Sequence, residues 1–312
     1  MRKSLEIHMA TFNGEEFLPA SLDSLLDQTD GDFVLKIRDD GSKDSTLDIL
    51  ELYRPRFGER MHILRDRDPS GSAKANFSRI LENCESDFVL WADQDDVWLP
   101  EKVSLQRQLL EDAEREFGQD CPIYVYTDAI PVDGNLSPIQ DSYFEYKKMN
   151  PGTISNLREC LVCGSMIGCA SGLNRALCRL ISPIPADEVA GHDWFAFQIA
   201  ASCGRIAFSS EPSLLYRLHG SNVSQQQINS LKSYVGTGNK TDRVRRGMRA
   251  RWKQARAVLD RLPANAPLAS RKALQEFVEI EGMSPLARRA ALVRRGFLYP
   301  DFNRNLAMLS LC

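Results

Sequence analysis

Three carboxylates stand within four positions in the stretch LWADQDDVW, residues 90–98: Asp93, Asp95 and Asp96. Like charges this close repel one another, so a positive partner is expected beside them. Asp93 and Asp95 are two residues apart, and alternate residues of an extended chain point the same way. Mg²⁺ and Mn²⁺ prefer oxygen ligands, so this pair can bridge a divalent cation to a diphosphate. The alternative, an acid-rich start of the next helix, accounts for Asp96 but not for Asp93.

A second acidic stretch, RDDGSKDS, contains Asp39 and Asp40 directly before a glycine. A carboxylate at this place can accept hydrogen bonds from a base N–H or a ribose hydroxyl, and the glycine permits close approach of a ligand to the backbone. These two acids are therefore candidates for nucleotide binding. The alternative is a tight turn in which Asp44 or Ser45 caps the next helix.

The hydrophobic pattern shows which elements must position these acids. Short β-rich runs alternate with helical patterns. The first five predicted strands are LEIHMA, FVLKIR, MHIL, DFVLWA and IYVYTD. This alternation predicts βαβ units and a mostly parallel sheet with helices on both faces. The segments TFNG, DDGS and DQDD each follow a predicted strand. We therefore expect them at one edge of the sheet, where open α/β sheets bind ligands.

The balance of charge changes near residue 222. Residues 223–312 hold 17 Lys and Arg against 6 Asp and Glu, whereas residues 1–222 hold 22 against 36. The acidic body and the basic tail are expected to have different partners. We predict a catalytic α/β domain over residues 1–222 and a basic helical region over residues 223–312.

In the basic region, apolar residues recur at helical spacing between arginines and lysines. They are Val244, Met248, Trp252, Ala255 and Leu259. This pattern predicts an amphipathic helix and is typical of a segment that lies on an anionic membrane surface. The alternative is a helix whose apolar stripe packs onto the body. Nucleic acid is not an expected partner, because base stacking needs aromatic side chains among the basic ones, and those of the tail are widely spread.

Cysteine usage and the chain start suggest a reducing compartment. Only Cys160 and Cys163 of the eight cysteines form a C-x-x-C pair, and without four-ligand spacing we expect buried thiols and no zinc or redox site. The first residues are interrupted by Glu6 and His8, which favours a strand over a secretory signal. We expect a cytoplasmic protein, with peripheral contact on the inner face of the cell membrane.

Six short motifs, taken in order, resemble those of the family 2 glycosyltransferases of the GT-A fold. They are MATFNGEEFL, RDDGSKDST, GSAKANF, DQDDVW, GHDW and YRLHGSN, and the likeness covers residues 5 to about 222. The resemblance implies a Rossmann-like GT-A domain that transfers a sugar from a nucleotide-diphosphate donor. DQDDVW and YRLHGSN are further similar to bacterial rhamnosyltransferase-like enzymes of O-antigen and capsule assembly.

The resemblance also implies roles for single residues. The nucleotide side of the donor would be bound by Thr11, Asn13, Asp39, Asp40, Lys74 and Asn76. Asp93 and Asp95 would hold the donor and a Mn²⁺ or Mg²⁺ ion, and His219 would complete the metal site or lie near the diphosphate. Asp193 of GHDW would be the general base. Without the resemblance, Asp193 could equally be a helix cap, and His219 could equally be a structural histidine.

These observations predict a metal-dependent, inverting glycosyltransferase. A single carboxylate base that activates an acceptor hydroxyl for in-line attack gives inversion at the anomeric carbon. The expected donor is dTDP-L-rhamnose or a UDP-hexose, and the expected acceptor is a saccharide or a lipid-linked glycan in cell-surface polysaccharide biosynthesis. One alternative is a nucleotidyltransferase, which usually has a glycine-rich basic loop after its first strand. The other is a non-catalytic module that binds nucleotide sugars.

Overall fold

The computed structural model describes residues 2–64, 68–149, 156–164, 166–219 and 240–311. Within these ranges the chain forms eight strands and twelve helices. The strands are β1 (Leu5–Thr11), β2 (Val34–Asp39), β3 (Met61–Leu64), β4 (Phe88–Asp93), β5 (Val97–Trp98), β6 (Ile123–Val132), β7 (Ser171–Asn174) and β8 (Arg205–Arg217).

The helices fall into two groups along the chain. Those that alternate with the strands are α1 (Leu18–Leu26), α2 (Thr46–Phe57), α3 (Ala73–Leu81), α4 (Lys102–Phe117), α5 (Tyr143–Lys147), α6 (Leu157–Val162), α7 (Arg175–Ile181) and α8 (His192–Cys203). The C-terminal ones are α9 (Lys240–Arg261), α10 (Leu268–Glu279), α11 (Pro285–Arg294) and α12 (Phe302–Leu311). In the described part of the chain, none of them combines the length and the apolar character that crossing a membrane requires.

All eight strands belong to one sheet, in the order β3-β2-β1-β4-β7-β6-β8-β5. The first four of these are parallel neighbours, and β6 and β8 are also parallel, while β7 and β5 pair in the antiparallel sense. Six of the seven residues of β1 are buried, as expected for a central parallel strand covered on both faces. The predicted α/β fold with a mostly parallel sheet is confirmed.

The carboxyl ends of β1, β2 and β4 lie side by side. In the parallel register, Thr11 is opposite Asp39 and Ala10 is opposite Asp93. The three polar loops that follow these strands therefore leave the sheet at the same edge, as the sequence predicted. We call this the acidic edge, after Asp39 and Asp93, which end β2 and β4.

The C-terminal helices pack onto the α/β body. Met248, Trp252 and Ala255 of α9 are at most 3% exposed and belong to the same hydrophobic core as the strands. The ring of Phe277 in α10 lies against Trp252, with 6.4 Å between centroids. The apolar stripe predicted for this helix is thus covered by protein. Burial in the core leaves this stripe unavailable to lipid. Membrane contact of the helix therefore stays a prediction for its exposed basic residues alone.

Truncation of Trp252 tests this packing. The Trp252→Ala variant removes an indole that is 3% exposed, and we expect the free energy of unfolding to fall by about 3–5 kcal/mol. Leu268→Ala is the matched control, because Leu268 is 84% exposed on α10 and its loss should cost less than about 0.5 kcal/mol. Chemical denaturation measures both. Equally small losses would show that α9 is not docked on the body.

Candidate active site

The acids that follow β4 converge with a cysteine from another part of the chain. Asp93 ends the strand and is half-buried, whereas Asp96 is fully buried. The short helical turn Gly168–Ala170 brings Cys169 beside them. A ligand atom from each of Asp93, Asp96 and Cys169 lies within 4.8 Å of the other two. The sequence predicted the crowding of acids but gave no sign of Cys169.

The pKa values indicate that nearby positive charge does not fully balance these carboxylates. Burial, together with the negative charges of Asp95 and Asp193, raises the pKa of Asp93 to about 7. Burial and the same crowding raise the pKa of Asp96 well above its usual range. The Oδ2 atom of Asp96 is also buried without a hydrogen-bond partner among the described residues. Additional positive charge at this site would relieve the repulsion.

Two cationic residues lie beneath the acids. Arg217, at the end of β8, donates its backbone N–H to Asp96 Oδ1 at 3.0 Å and its Nε–H to the Asp95 carbonyl at 2.7 Å. Lys102 of α4 is 1% exposed, and its Nζ donates to Ser213 Oγ at 3.1 Å. Burial lowers the pKa of Lys102 to about 7. Neither residue was predicted from the sequence. Arg217 lies within YRLHGSN, which was the available signal.

His219 lies beside Asp95, as expected for two members of one metal site. Its Nε2 is 2.8 Å from Asp95 Oδ2, and both side chains are partly exposed, at 15% and 18%. The imidazole also contacts the ring of Phe17, with centroids 4.7 Å apart. The structure therefore brings Asp95 and His219 together. The remaining residues of the motif, 220–222, lie outside the described residues.

Three of the predicted donor-binding residues join the loops after β1 and β2. Thr11 Oγ1 donates to Asp39 Oδ1 at 2.9 Å, and Asn13 Oδ1 accepts the backbone N–H of Lys43 at 2.9 Å. Asp39 Oδ2 accepts two backbone N–H groups of the turn that follows it. Thr11, Asn13 and Asp39 therefore lie together at the acidic edge. The tight turn that was the alternative for this stretch is also present.

Asp40 and Asn76 lie in the interior beside Arg38. They are 7% and 2% exposed, and each accepts a hydrogen bond of 2.9 Å from Arg38 Nη1. Burial raises the pKa of Asp40, but hydrogen bonds from Ser70 and Arg38 hold it below its usual value. The Nδ2 of Asn76 donates to the Arg38 carbonyl at 3.1 Å. These polar groups are engaged inside the protein, and their direct contact with the donor stays a prediction.

The segment before α8 is held from two sides. Lys74 Nζ donates to the Val189 carbonyl at 2.6 Å, and its expected approach to the ribose or the phosphates stays a prediction. On the other side, the Ala190 N–H donates to Oε1 of Gln254 at 2.7 Å. Gln254 belongs to α9 and is fully buried. The C-terminal region thus fixes the backbone three residues before Asp193, a contact that the sequence did not reveal.

Asp193 lies in the first turn of α8, as predicted. Its Oδ1 accepts the backbone N–H of Trp194 at 2.7 Å. A Cβ at Gly191 would lie 2.6 Å from the same oxygen, so a glycine permits this close approach. The charge of Asp193 contributes to the raised pKa of Asp93. The expected base therefore lies close enough to influence the same group of acids. The N-cap of α8 is Gly191, so Asp193 does not supply a side-chain capping hydrogen bond.

His192 precedes the expected base and is an aromatic packing residue. Its ring stacks on Phe77 with centroids 4.1 Å apart and meets the edge of Trp91 at 4.7 Å. Burial lowers the pKa of His192, which favours the neutral ring. These contacts fix the first residue of α8, and with it the direction in which Asp193 leaves the helix.

The raised pKa of Asp93 predicts a pH-dependent stability. A carboxyl group whose pKa is higher in the folded state stabilises that state at low pH, and this contribution is lost as pH rises through about 7. With metal chelated, we expect the melting temperature of the wild type to fall from about pH 5 to about pH 8 relative to Asp93→Asn. Asp120→Asn, an exposed control, should keep the wild-type slope. Parallel pH profiles for wild type and Asp93→Asn would contradict the assignment.

Two known glycosyltransferases are similar in sequence to about three quarters of this chain. The family model of glycosyl transferase family 2 matches residues 6–180. The dTDP-rhamnosyl transferase RfbG of Shigella flexneri is 26% identical over 236 residues, which is 74% of this chain and 78% of that protein. The UDP-Glc:alpha-D-GlcNAc-diphosphoundecaprenol beta-1,3-glucosyltransferase WfgD of Escherichia coli is 25% identical over 238 residues, 73% of this chain and 82% of that protein.

Solved structures share the fold. TarS 1–349 of S. aureus superposes with a TM-score of 0.58 at 18% identity, covering 99% of this chain and 78% of that one. The mannosyltransferase PcManGT from Pyrobaculum calidifontis, in complex with GDP-Man and Mn²⁺, gives 0.54 at 15% identity, covering 99% and 79%. These likenesses agree with the GT-A fold that the sequence predicted. Since the family model spans more than half of the chain, this protein belongs to glycosyl transferase family 2.

Proposed function

We propose that this glycosyltransferase transfers L-rhamnose from dTDP-L-rhamnose to a saccharide or lipid-linked glycan acceptor during synthesis of a cell-surface polysaccharide. The observation that carries the choice of sugar is the 26% identity to the dTDP-rhamnosyl transferase RfbG over 74% of the chain. A UDP-hexose is the second candidate donor, supported by the 25% identity to WfgD, which is named for UDP-Glc. Family membership decides against the nucleotidyltransferase and the non-catalytic module.

A divalent cation, Mn²⁺ or Mg²⁺, fits the donor atoms of the acidic edge. Asp93 and Asp95 offer the oxygen ligands that these ions prefer. The raised pKa of Asp93 and the unpartnered Oδ2 of Asp96, judged among the described residues, support a need for positive charge. We propose that Asp93, Asp95 and His219 hold the ion. When bound, it supplies positive charge to the departing nucleoside diphosphate.

Asp193 is our candidate for the base that takes the proton of the acceptor hydroxyl. The hydrogen bond from the Trp194 N–H holds this carboxylate at the start of α8. Its electrostatic effect on Asp93 supports a place beside the donor end of the site. Attack by an acceptor oxygen activated there, opposite the leaving diphosphate, inverts the anomeric carbon.

We propose the nucleotide to lie over Thr11, Asn13 and Asp39, because these side chains share the acidic edge. Asp40, Lys74 and Asn76 are proposed to act indirectly, by holding the surrounding loops. We retain residues 1–222 as the catalytic domain and residues 223–312 as the basic region. Contact with anionic lipids is proposed only for exposed arginines on α9, such as Arg245 and Arg246.

A panel of nucleotide sugars tests the donor. Transfer and donor hydrolysis are measured with dTDP-L-rhamnose, UDP-glucose and related donors, with and without EDTA. We expect the highest turnover with dTDP-L-rhamnose, loss of turnover in EDTA, and recovery with Mn²⁺ or Mg²⁺. Turnover of UDP-hexoses alone would favour the second candidate. No turnover of any nucleotide sugar would contradict both.

A variant in the same assay separates metal dependence from chelator artefacts. Asp95→Asn should stay inactive when Mn²⁺ is added, because an amide is a much weaker ligand than a carboxylate for a hard cation. Asp120→Asn, at an exposed site, is the matched control and should keep wild-type turnover. Full activity of the wild type in EDTA would rule out the proposed metal.

Substitution of the candidate base gives a second test. Asp193→Asn keeps the shape of the side chain but removes its basicity, so transfer should fall by about 10²-fold to 10⁴-fold. Calorimetry should show that donor and metal still bind, since the variant leaves their proposed ligands in place. Unchanged transfer would leave Asp193 with a structural role only. Lost donor affinity would make it a donor ligand.

A further inference from the structure

A glutamine side chain joins the loop that follows β1 to the acids that follow β4. Gln94 stands between Asp93 and Asp95 in the chain and is half-buried. Its Oε1 accepts the backbone N–H of Phe12 at 2.9 Å, and its Nε2 donates to the Phe12 carbonyl at 3.0 Å. One side-chain amide therefore pairs with both backbone polar groups of Phe12. We call residues 12–15, which begin with Phe12, the first loop.

These two hydrogen bonds continue the pairing of β1 with β4 beyond the end of the sheet. The last paired residues of the two strands are Ala10 and Asp93. A carboxamide carries both an acceptor and donors, so the amide of Gln94 can take the place of a neighbouring strand in pairing with a backbone residue. The start of the first loop is thus tied to the segment that carries the acids.

The other side of the first loop is held by the loop that follows β2. Three successive backbone N–H groups donate to side chains there: Asn13 to Ser42 Oγ at 2.8 Å, Gly14 to Thr46 Oγ1 at 2.8 Å and Glu15 to Asp44 Oδ2 at 3.0 Å. With the Phe12 N–H, all four backbone N–H groups of the first loop bond to side chains. Its shape is therefore set by both neighbours, and Gln94 provides the contact on the side of the acids.

Gly14 leaves the space that the amide of Gln94 occupies. A Cβ at Gly14 would lie 2.5 Å from Cδ of Gln94 and 3.0 Å from its Nε2, closer than non-bonded heavy atoms pack. The φ of Gly14 is not positive, so an alanine could adopt the same backbone conformation. The close approach of Gln94 is therefore what requires a glycine here. Replacing Gly14 by alanine would displace the amide without changing Gln94 itself.

We propose that Gln94 is a positioning residue for the nucleotide-sugar donor, acting through its two hydrogen bonds with Phe12. The inference rests on the proposed function, in which the nucleotide lies beside the first loop and the cation is held by Asp93 and Asp95. Nucleoside and diphosphate belong to one molecule, so both are bound at once only when the first loop and the acids are correctly spaced. Gln94 fixes that spacing before the donor arrives, and such preorganisation lowers the cost of binding.

Calorimetry on the full chain with Mn²⁺, dTDP and UDP tests the proposal. In saturating Mn²⁺, we expect Gln94→Ala to weaken nucleotide binding by about 10-fold, as for the loss of two hydrogen bonds. Mn²⁺ alone should bind with wild-type affinity, because the proposed metal ligands remain. Gln108→Ala, at an exposed glutamine of α4, is the matched control and should keep both affinities. Thermal melting checks that the variants are folded.

A second variant separates positioning from other effects of the substitution. Gly14→Ala should weaken nucleotide binding to a similar extent, and adding it to Gln94→Ala should change almost nothing, because the clash is then gone. Additive losses, weaker binding of Mn²⁺ alone, or wild-type nucleotide affinity in Gln94→Ala would overturn the inference and leave the proposed function standing. A wild type that binds neither dTDP nor UDP would contradict the proposed function, and this inference with it.

Discussion

Repulsion among the carboxylates at the end of β4 is the constraint around which the site is organised. Asp93 and Asp96 both have raised pKa values, because burial and neighbouring acids disfavour their charged forms. Folding holds them together through the backbone N–H and the guanidinium of Arg217 and with Lys102 buried nearby. These contacts reduce the cost of crowding the acids without removing it. The residual cost makes a cation a favourable ligand for this edge.

The C-terminal region helps to position the proposed base, Asp193, and is not a separate appendage. Gln254 of α9 accepts the N–H of Ala190 at 2.7 Å, and Lys74 of α3 donates to the neighbouring Val189 carbonyl at 2.6 Å. The backbone that leads to Asp193 is therefore held between the basic region and the α/β body. The apolar stripe of α9 is buried in the common core, so the helix that carries Gln254 is held rigidly against the body. The backbone position of the proposed base thus depends on residues far away in sequence.

The sequence predicted the parts of the fold that depend on local patterns. The strand–helix alternation and the motifs after β1, β2 and β4 were enough to bring Thr11, Asp39 and Asp93 to one edge. The sequence did not reveal the contacts of side chains whose partners are set by tertiary packing. Asn76 and Lys74 lie in a motif, yet their polar groups bond to the protein itself. No local sequence pattern indicates that Lys102 is buried, because its burial depends on how α4 packs against the sheet.

The claim that repulsion among the carboxylates shapes the site is tested most directly by the number of protons released when Mn²⁺ binds. Calorimetry in buffers of different ionisation enthalpy measures this number. Because the pKa of Asp93 is raised to about 7, we expect release of about one proton at about pH 6 and almost none at about pH 8.5. The same proton count at both pH values, or none at the lower one, would show that the acids are already ionised and that their repulsion does not shape the site.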